Sequence, residues 1–186
     1  MQTLKITAVC DRVRQRTLKA LEEATRVDVG ILDDPELAAI GAWQEYGWQQ
    51  RVTPNQARWF QRQRIPHPPT AGAVLTLPPR PFIGSTVRAE SKNWGYVYGK
   101  ALKMYGIDHA PNALIAVGIK AAEDIKDTLI NGGTREEKFE RRSTLTQELY
   151  KRQAEGHNTD GTGNIEGDKP LVKTGALLNS IGYQLA

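Results

Sequence analysis

The chain has 186 residues, 39% hydrophobic and 25% charged, enough for a core with appendages and close to ordinary globular composition. No run of about 18 apolar residues occurs, so no membrane-spanning helix is expected, and MQTLKITAVCDR lacks the basic start and apolar stretch of a secretory signal. The single Cys10 excludes an internal disulfide and an all-cysteine zinc site, and fits synthesis in a reducing cytoplasm. A net charge of +4 is mild, but its distribution is uneven. Leu21 to Tyr46 carries seven acids (Glu22, Glu23, Asp28, Asp33, Asp34, Glu36, Glu45) against Arg26. Gly47 to Ala89 carries six arginines (Arg51, Arg58, Arg62, Arg64, Arg80, Arg88) and no acid. Adjacent fields of opposite sign suit head-to-tail contacts between copies. The arginines equally suit DNA phosphates, and both surfaces could simply be solvated.

Residues 3–10 alternate Leu4, Ile6, Ala8 and Cys10, reading as a strand or the entry to a helix. The alternation makes Cys10 a buried thiol, without an obvious His partner. Residues 12–25 read as a helix with Val13, Leu18 and Leu21 inward. RVDVGIL at 26–32 alternates Val27, Val29 and Ile31 and forms the clearest strand. Asp34 can cap the next helix, Pro35 suits its first turn, and Gly47 ends it.

Residues 48–76 break this pattern with Trp48, Trp59, Phe60, four arginines and several prolines. They read as a long loop or a β-hairpin extension, with AVLTL as one strand. Loops of this length are uncommon unless they bind something. Aromatic side chains interleaved with Arg51, Arg58, Arg62 and Arg64 suit a protein interface, nucleic-acid stacking or local packing.

Pro78, Pro79 and Pro81 then hold Arg80 and Phe82 in an extended bracket. A helix follows, with Val87, Trp94, Tyr98, Ala101, Leu102 and Tyr105 at helical spacing. Gly106 breaks it, and Pro111 opens a second long helix that Gly132-Gly133 terminates. Its buried stripe is Leu114, Ile115, Gly118, Ala121, Ala122, Ile125 and Leu129, whose small members allow another element to approach closely. Residues 134–168 read as a flexible segment, first charged with partial exposed helix, then Gly-rich. In the tail, Thr174 can cap a short helix, and Gly182 releases it into a final strand. The expected fold is α+β: one domain with a small antiparallel sheet packed against two long helices, plus the loop or hairpin insertion.

No catalytic constellation stands out. Asp160, Thr162, Asn164, Glu166 and Asp168 alternate like a calcium loop, but Ile165 and Leu171 occupy the positions that need Gly and Glu. Gly161, Gly163 and Gly167 have the wrong spacing for a dinucleotide loop. His67, His109 and His157 lack partners at metal-ligand spacing, and Ser85 and Ser180 lack a G-x-S-x-G frame. No enzymatic activity, cofactor or metal is expected.

GAWQEYGW followed by LPPRPFIGSTV resembles the E-F/Y-G … P-x-R-P-F signature of phage neck and tail-completion proteins, a family of virion-morphogenesis components. KPLVKTGALLNSIGYQL resembles that family's closing T-G-x-L-x-x-S-I-x-Y segment. The resemblance covers residues 27–47, 77–131 and 168–185; the insertion at 48–76 departs from it. It implies a structural protein forming a ring, a hexamer or dodecamer, at the head–tail junction of the virion, assembled in the host cytoplasm. The implied partners are copies of itself, a connector or head-closure protein, a tail terminator or tube or sheath protein, and DNA in the channel. The matching positions are Glu45, Tyr46, Gly47, Arg80, Pro81, Phe82, Thr174, Gly175, Leu177 and Ser180. By this resemblance Phe82 seats the bracket in the core, and Arg80 pairs with Glu45 or a neighbouring subunit. Thr174 and Gly175 set the final turn, and Tyr46 and Gly47 maintain the fold. The alternative is a nucleic-acid-binding module using Arg51, Arg58, Trp59, Phe60, Arg62 and Arg64.

Overall fold

Val27, Val29 and Ile31 form β1 (Val27–Ile31), which pairs antiparallel with β4 (Ile181–Leu185) in the register Val27 to Leu185 through Ile31 to Ile181. These strands belong to a computed structural model that describes Gln15, residues 26–154 and residues 175–186. The expected elements at 3–25, with Cys10 among them, lie outside the described residues apart from Gln15, which is helical. So do Thr174 and the glycine-rich loop at 156–168.

After β1, Asp34 accepts hydrogen bonds from Glu36 N (3.0 Å) and Leu37 N (2.9 Å), and Pro35 opens α1 (Pro35–Tyr46). This satisfies donors that the first helical turn leaves unpaired. Gly47 stops the helix at φ 71°, where a Cβ would lie 2.7 Å from Leu77 O and 2.9 Å from Pro79 N. Only glycine lets the chain turn there against the proline bracket.

The stretch at 48–76 takes the hairpin form of the two arrangements expected, with AVLTL supplying one strand; the helix it holds was not anticipated. β2 (Trp48–Arg51) pairs antiparallel with β3 (Val74–Leu77), and α2 (Pro54–Arg62) sits between them. Thr53 and Gln56 form a reciprocal capping box: Gln56 N donates to Thr53 Oγ1 at 3.2 Å and Thr53 N to Gln56 Oε1 at 2.9 Å. This lobe has a small core of its own, made by Val52, Ala57, Phe60 and Ile65 with Leu75. Leu145 and Leu149 of α5 (Thr144–Ala154) pack onto it. Part of the span expected to be flexible is therefore a helix anchored on the lobe.

α3 (Phe82–Tyr105) and α4 (Ala110–Asn131) are the two long helices, joined by a 3₁₀ turn (Ile107–His109), and they pack together. Thr86 Oγ1 meets Thr128 Oγ1 at 2.7 Å and Trp94 Nε1 donates to Asp124 Oδ2 at 2.8 Å, so the pair is antiparallel. The buried face of α3 is Phe82, Ser85, Thr86 and Ala101. Val87 and Tyr105, expected inward, are exposed at 42% each; Val87 lies a hundred degrees round the helix from Thr86, which faces α4. On α4 the stripe from Gly118 to Leu129 is buried, joined by Asp124 and Thr128. At Gly118 a Cβ would lie 2.7 Å from Val27 Cγ2 and 2.9 Å from Tyr183 Cδ2, so β1 and β4 rest directly on this helix.

The architecture is α+β, with two separate two-stranded antiparallel ribbons where one small sheet was expected. The main core is Phe82, Ala122, Ile125, Leu129, Leu177 and Ile181. Burying Phe82 completely contributes about 2 kcal/mol. The closing helix α6 (Ala176–Asn179) starts at Gly175, φ 69°, and Ser180 Oγ donates to Leu177 O at 2.9 Å. β4 begins at Ile181, so Gly182 lies within the strand. Among the described residues, no helix is long and apolar enough to cross a membrane.

Candidate interaction site

The motif residues assemble around the start of α3. Pro81 precedes that helix and provides no side-chain cap. The cap comes from α1 instead. Glu45 Oε2 accepts from Ile83 N at 2.9 Å and Oε1 from Gly84 N at 2.8 Å. A carboxylate on free N–H groups at the positive end of a 24-residue helix is a favourable electrostatic arrangement. The expected partner of Arg80 thus serves a different element.

Arg80 is 3% exposed. Its backbone N–H donates to Gln44 O at 2.7 Å. Its guanidinium donates to Glu140 O at 3.1 Å, Gln44 Oε1 at 3.3 Å and Arg141 O at 3.4 Å. Arg80 is therefore an internal clamp that ties the bracket to α1 and to residues 140–141, and it is removed from any surface where a neighbour could meet it. Gly41 brings the remaining motif together: a Cβ there would lie 2.7 Å from Ile31 Cδ1, 3.6 Å from Leu177 Cδ1 and 3.8 Å from Phe82 Cζ. Tyr46 is the exception to the fold-maintaining set. It is 80% exposed, because the last turn of α1 points its side chain away from both cores.

The second group of candidates sits on the lobe. Arg58, Trp59 and Arg62 share the outward face of α2, opposite Ala57 and Phe60. Arg51, Arg58, Arg62 and Arg64 are exposed, and Trp59 is 45% exposed. Phe60 is a correction: at 7% exposure it belongs to the lobe core, where it supports Trp59 edge-on at 5.0 Å. Arg58 donates to Asn55 Oδ1 at 2.7 Å. None of the four arginines pairs with an acid among the described residues.

Sequence reasoning named Asp33 and Glu36 in the acidic field opposite these arginines, but missed the exposed apolar stripe on α1. Glu36, Ile40 and Trp43 recur at four- and three-residue steps and form one outward stripe, with Ile40 40% and Trp43 53% exposed. The Trp43 and Trp48 ring centroids lie 6.4 Å apart with the rings tilted, so Trp48 packs beside the exposed Trp43. The i, i+4, i+7 spacing was readable, but the sequence does not say which face of a helix with apolar residues all round is the outer one.

A polar groove of about 640 Å³ runs beside α3 and α4, lined in part by Glu90, Asp124, Asp127, Arg135 and Lys138. Its most buried acid, Asp124, is already held by Trp94 and by the Lys120 ammonium. That contact raises the Lys120 pKa, against a smaller opposing effect of burial. No group of three or more His, Cys, Asp or Glu side chains suited to a metal occurs among the described residues. The buried Ser85 hydroxyl has no hydrogen-bonding partner among the described residues. No protein-family model, curated protein or solved structure matches the chain.

Proposed function

We propose that this chain is a structural subunit of the head–tail junction of a tailed phage, one copy in a homo-oligomeric ring that links the connector to the tail. The observation that carries the proposal is the meeting of the three motif stretches at one node. Glu45 of the first caps the helix that opens with Phe82 of the second, while Gly41 of the first lies close to both Phe82 and Leu177 of the third. Segments far apart in sequence that resemble one signature act here as one structural unit, which supports reading them together. The virion neck is the proposed location, with head-closure and tail proteins as neighbours. Electron microscopy of particles assembled without the chain tests the role. Separated heads and tails are expected; heads joined to complete tails in its absence would remove the proposal.

A second reading, a nucleic-acid-binding module, is favoured by the four exposed arginines and half-exposed Trp59 of the lobe. It requires duplex or single-stranded DNA to bind with an affinity that falls steeply with salt. No binding at low salt would eliminate it. A ring around a DNA channel accommodates both readings.

A further inference from the structure

The lobe and α1 present surfaces of opposite charge; within one copy Trp43 meets Trp48 at the edge of the lobe hairpin, but no ion pair joins the two faces among the described residues. The lobe offers Arg58, Arg62 and Trp59 on one helix face, with Arg51 and Arg64 exposed nearby in the chain. α1 offers Glu36, Ile40 and Trp43 on its outward stripe, with Asp33 exposed just before the helix. Neither Asp33 nor Glu36 has an ion-pair partner among the described residues. We infer that the Arg58–Trp59–Arg62 face of one copy docks on the Asp33–Glu36–Ile40–Trp43 stripe of the next. This deepens the ring reading proposed above and rests on it.

Three features favour a second copy as the occupant. The charges are opposite, and each is backed by an exposed aromatic ring. Tryptophan and arginine are the residues that most often anchor interfaces, and charge pairs around them set partner and register. Both rings are braced from within their own copy, Trp43 by Trp48 and Trp59 by Phe60, so less conformational freedom is lost on docking. Finally, the two faces lie on different elements, as a head-to-tail contact in the ring proposed above requires. Each copy uses its lobe on one neighbour and its α1 on the other, and such contacts propagate until a ring closes. An arginine face alone would suit DNA phosphates; the exposed Ile40 and Trp43 on the acidic side have no role in that alternative.

Sedimentation velocity on the full chain tests the pairing. The wild-type chain should self-associate. Arg58→Glu with Arg62→Glu, and separately Asp33→Lys with Glu36→Lys, should each weaken association about tenfold or more. An equimolar mixture of the two double variants should recover it, because each reversed face then meets a reversed partner. That recovery also shows that both variants are folded. Several results would overturn the pairing: a wild-type chain that stays monomeric at its highest soluble concentration, association unchanged in either variant, or no recovery on mixing. So would loss of duplex-oligonucleotide binding in Arg58→Glu/Arg62→Glu with self-association intact. Failure of the pairing with heads and tails still unjoined in the chain's absence leaves the junction role standing. The reverse result leaves the pairing and removes the junction role.

Discussion

Glu45 Oε1 accepts the backbone N–H of Gly84 at 2.8 Å, so a side chain near the end of one helix caps the start of another 39 positions later. The same carboxylate takes Ile83 N, and together the two bonds replace the side-chain cap that Pro81 does not supply. Glu45→Ala leaves both donors without their acceptor and should cost about 1–3 kcal/mol in urea unfolding. Glu45→Gln keeps one acceptor oxygen but loses the charge at the helix terminus, and should fall between the two.

Gly47 and Gly72 both have positive φ, at 71° and 86°, but only Gly47 is crowded. Its added Cβ would lie within 3 Å of backbone atoms of Leu77 and Pro79, whereas nothing lies within 4 Å at Gly72. Gly72→Ala should therefore cost about 1 kcal/mol for the backbone conformation alone. Gly47→Ala should cost clearly more, because the backbone of the bracket must shift. Equal thermal destabilisation of the two variants would contradict this account of the bracket.

The two cores predict two kinds of unfolding. Phe82 is fully buried among Ile125, Leu129, Leu177 and Ile181, and Phe82→Ala should lose about 3–5 kcal/mol of global stability. Phe60 belongs to the separate lobe cluster with Val52, Ala57 and Ile65. Phe60→Ala should mainly release the lobe, seen as faster proteolysis and hydrogen exchange across 52–77 while α3 and α4 stay protected.

These two phenylalanines also mark what was legible in the sequence. Phe82 follows a proline bracket and opens a periodic helix, so its place in the core could be read directly. Phe60 lies in a proline- and arginine-rich stretch whose aromatic side chains suggested binding. The helix there did have a signal: Thr53-Pro54-Asn55-Gln56 is a capping box with proline at the first helical position. Ala57 and Phe60 then follow at helical spacing. The burial of Arg80 had no such signal, because carbonyls of residues 140 and 141 accept from it and any sequence supplies carbonyls. β1, α1 and the long pair were readable because caps, glycine stops and periodicity agree there. The outer face of α1 was not, because apolar residues occur on all its sides.

Lys120 gives a pH dependence with a fixed sign. Its contact with Asp124 raises its folded pKa above 10.5, the usual lysine value. The stabilisation is therefore complete below pH 10.5 and is lost as pH rises through the raised folded value. The side chain is 37% exposed, so solvent screening keeps the effect below about 1 kcal/mol. Melting curves on the alkaline side should show wild type losing stability that Lys120→Met never had, with the two converging at the highest pH.

The central claim concerns place and assembly, and one reconstruction tests it most directly. On the junction role proposed above, a cryo-electron microscopy map of the phage neck should contain a closed ring of copies of this chain between connector and tail. The Glu45–Phe82–Leu177 node should be intact in every subunit, with each lobe seated on the α1 helix of its neighbour. A neck built without this chain would contradict the account.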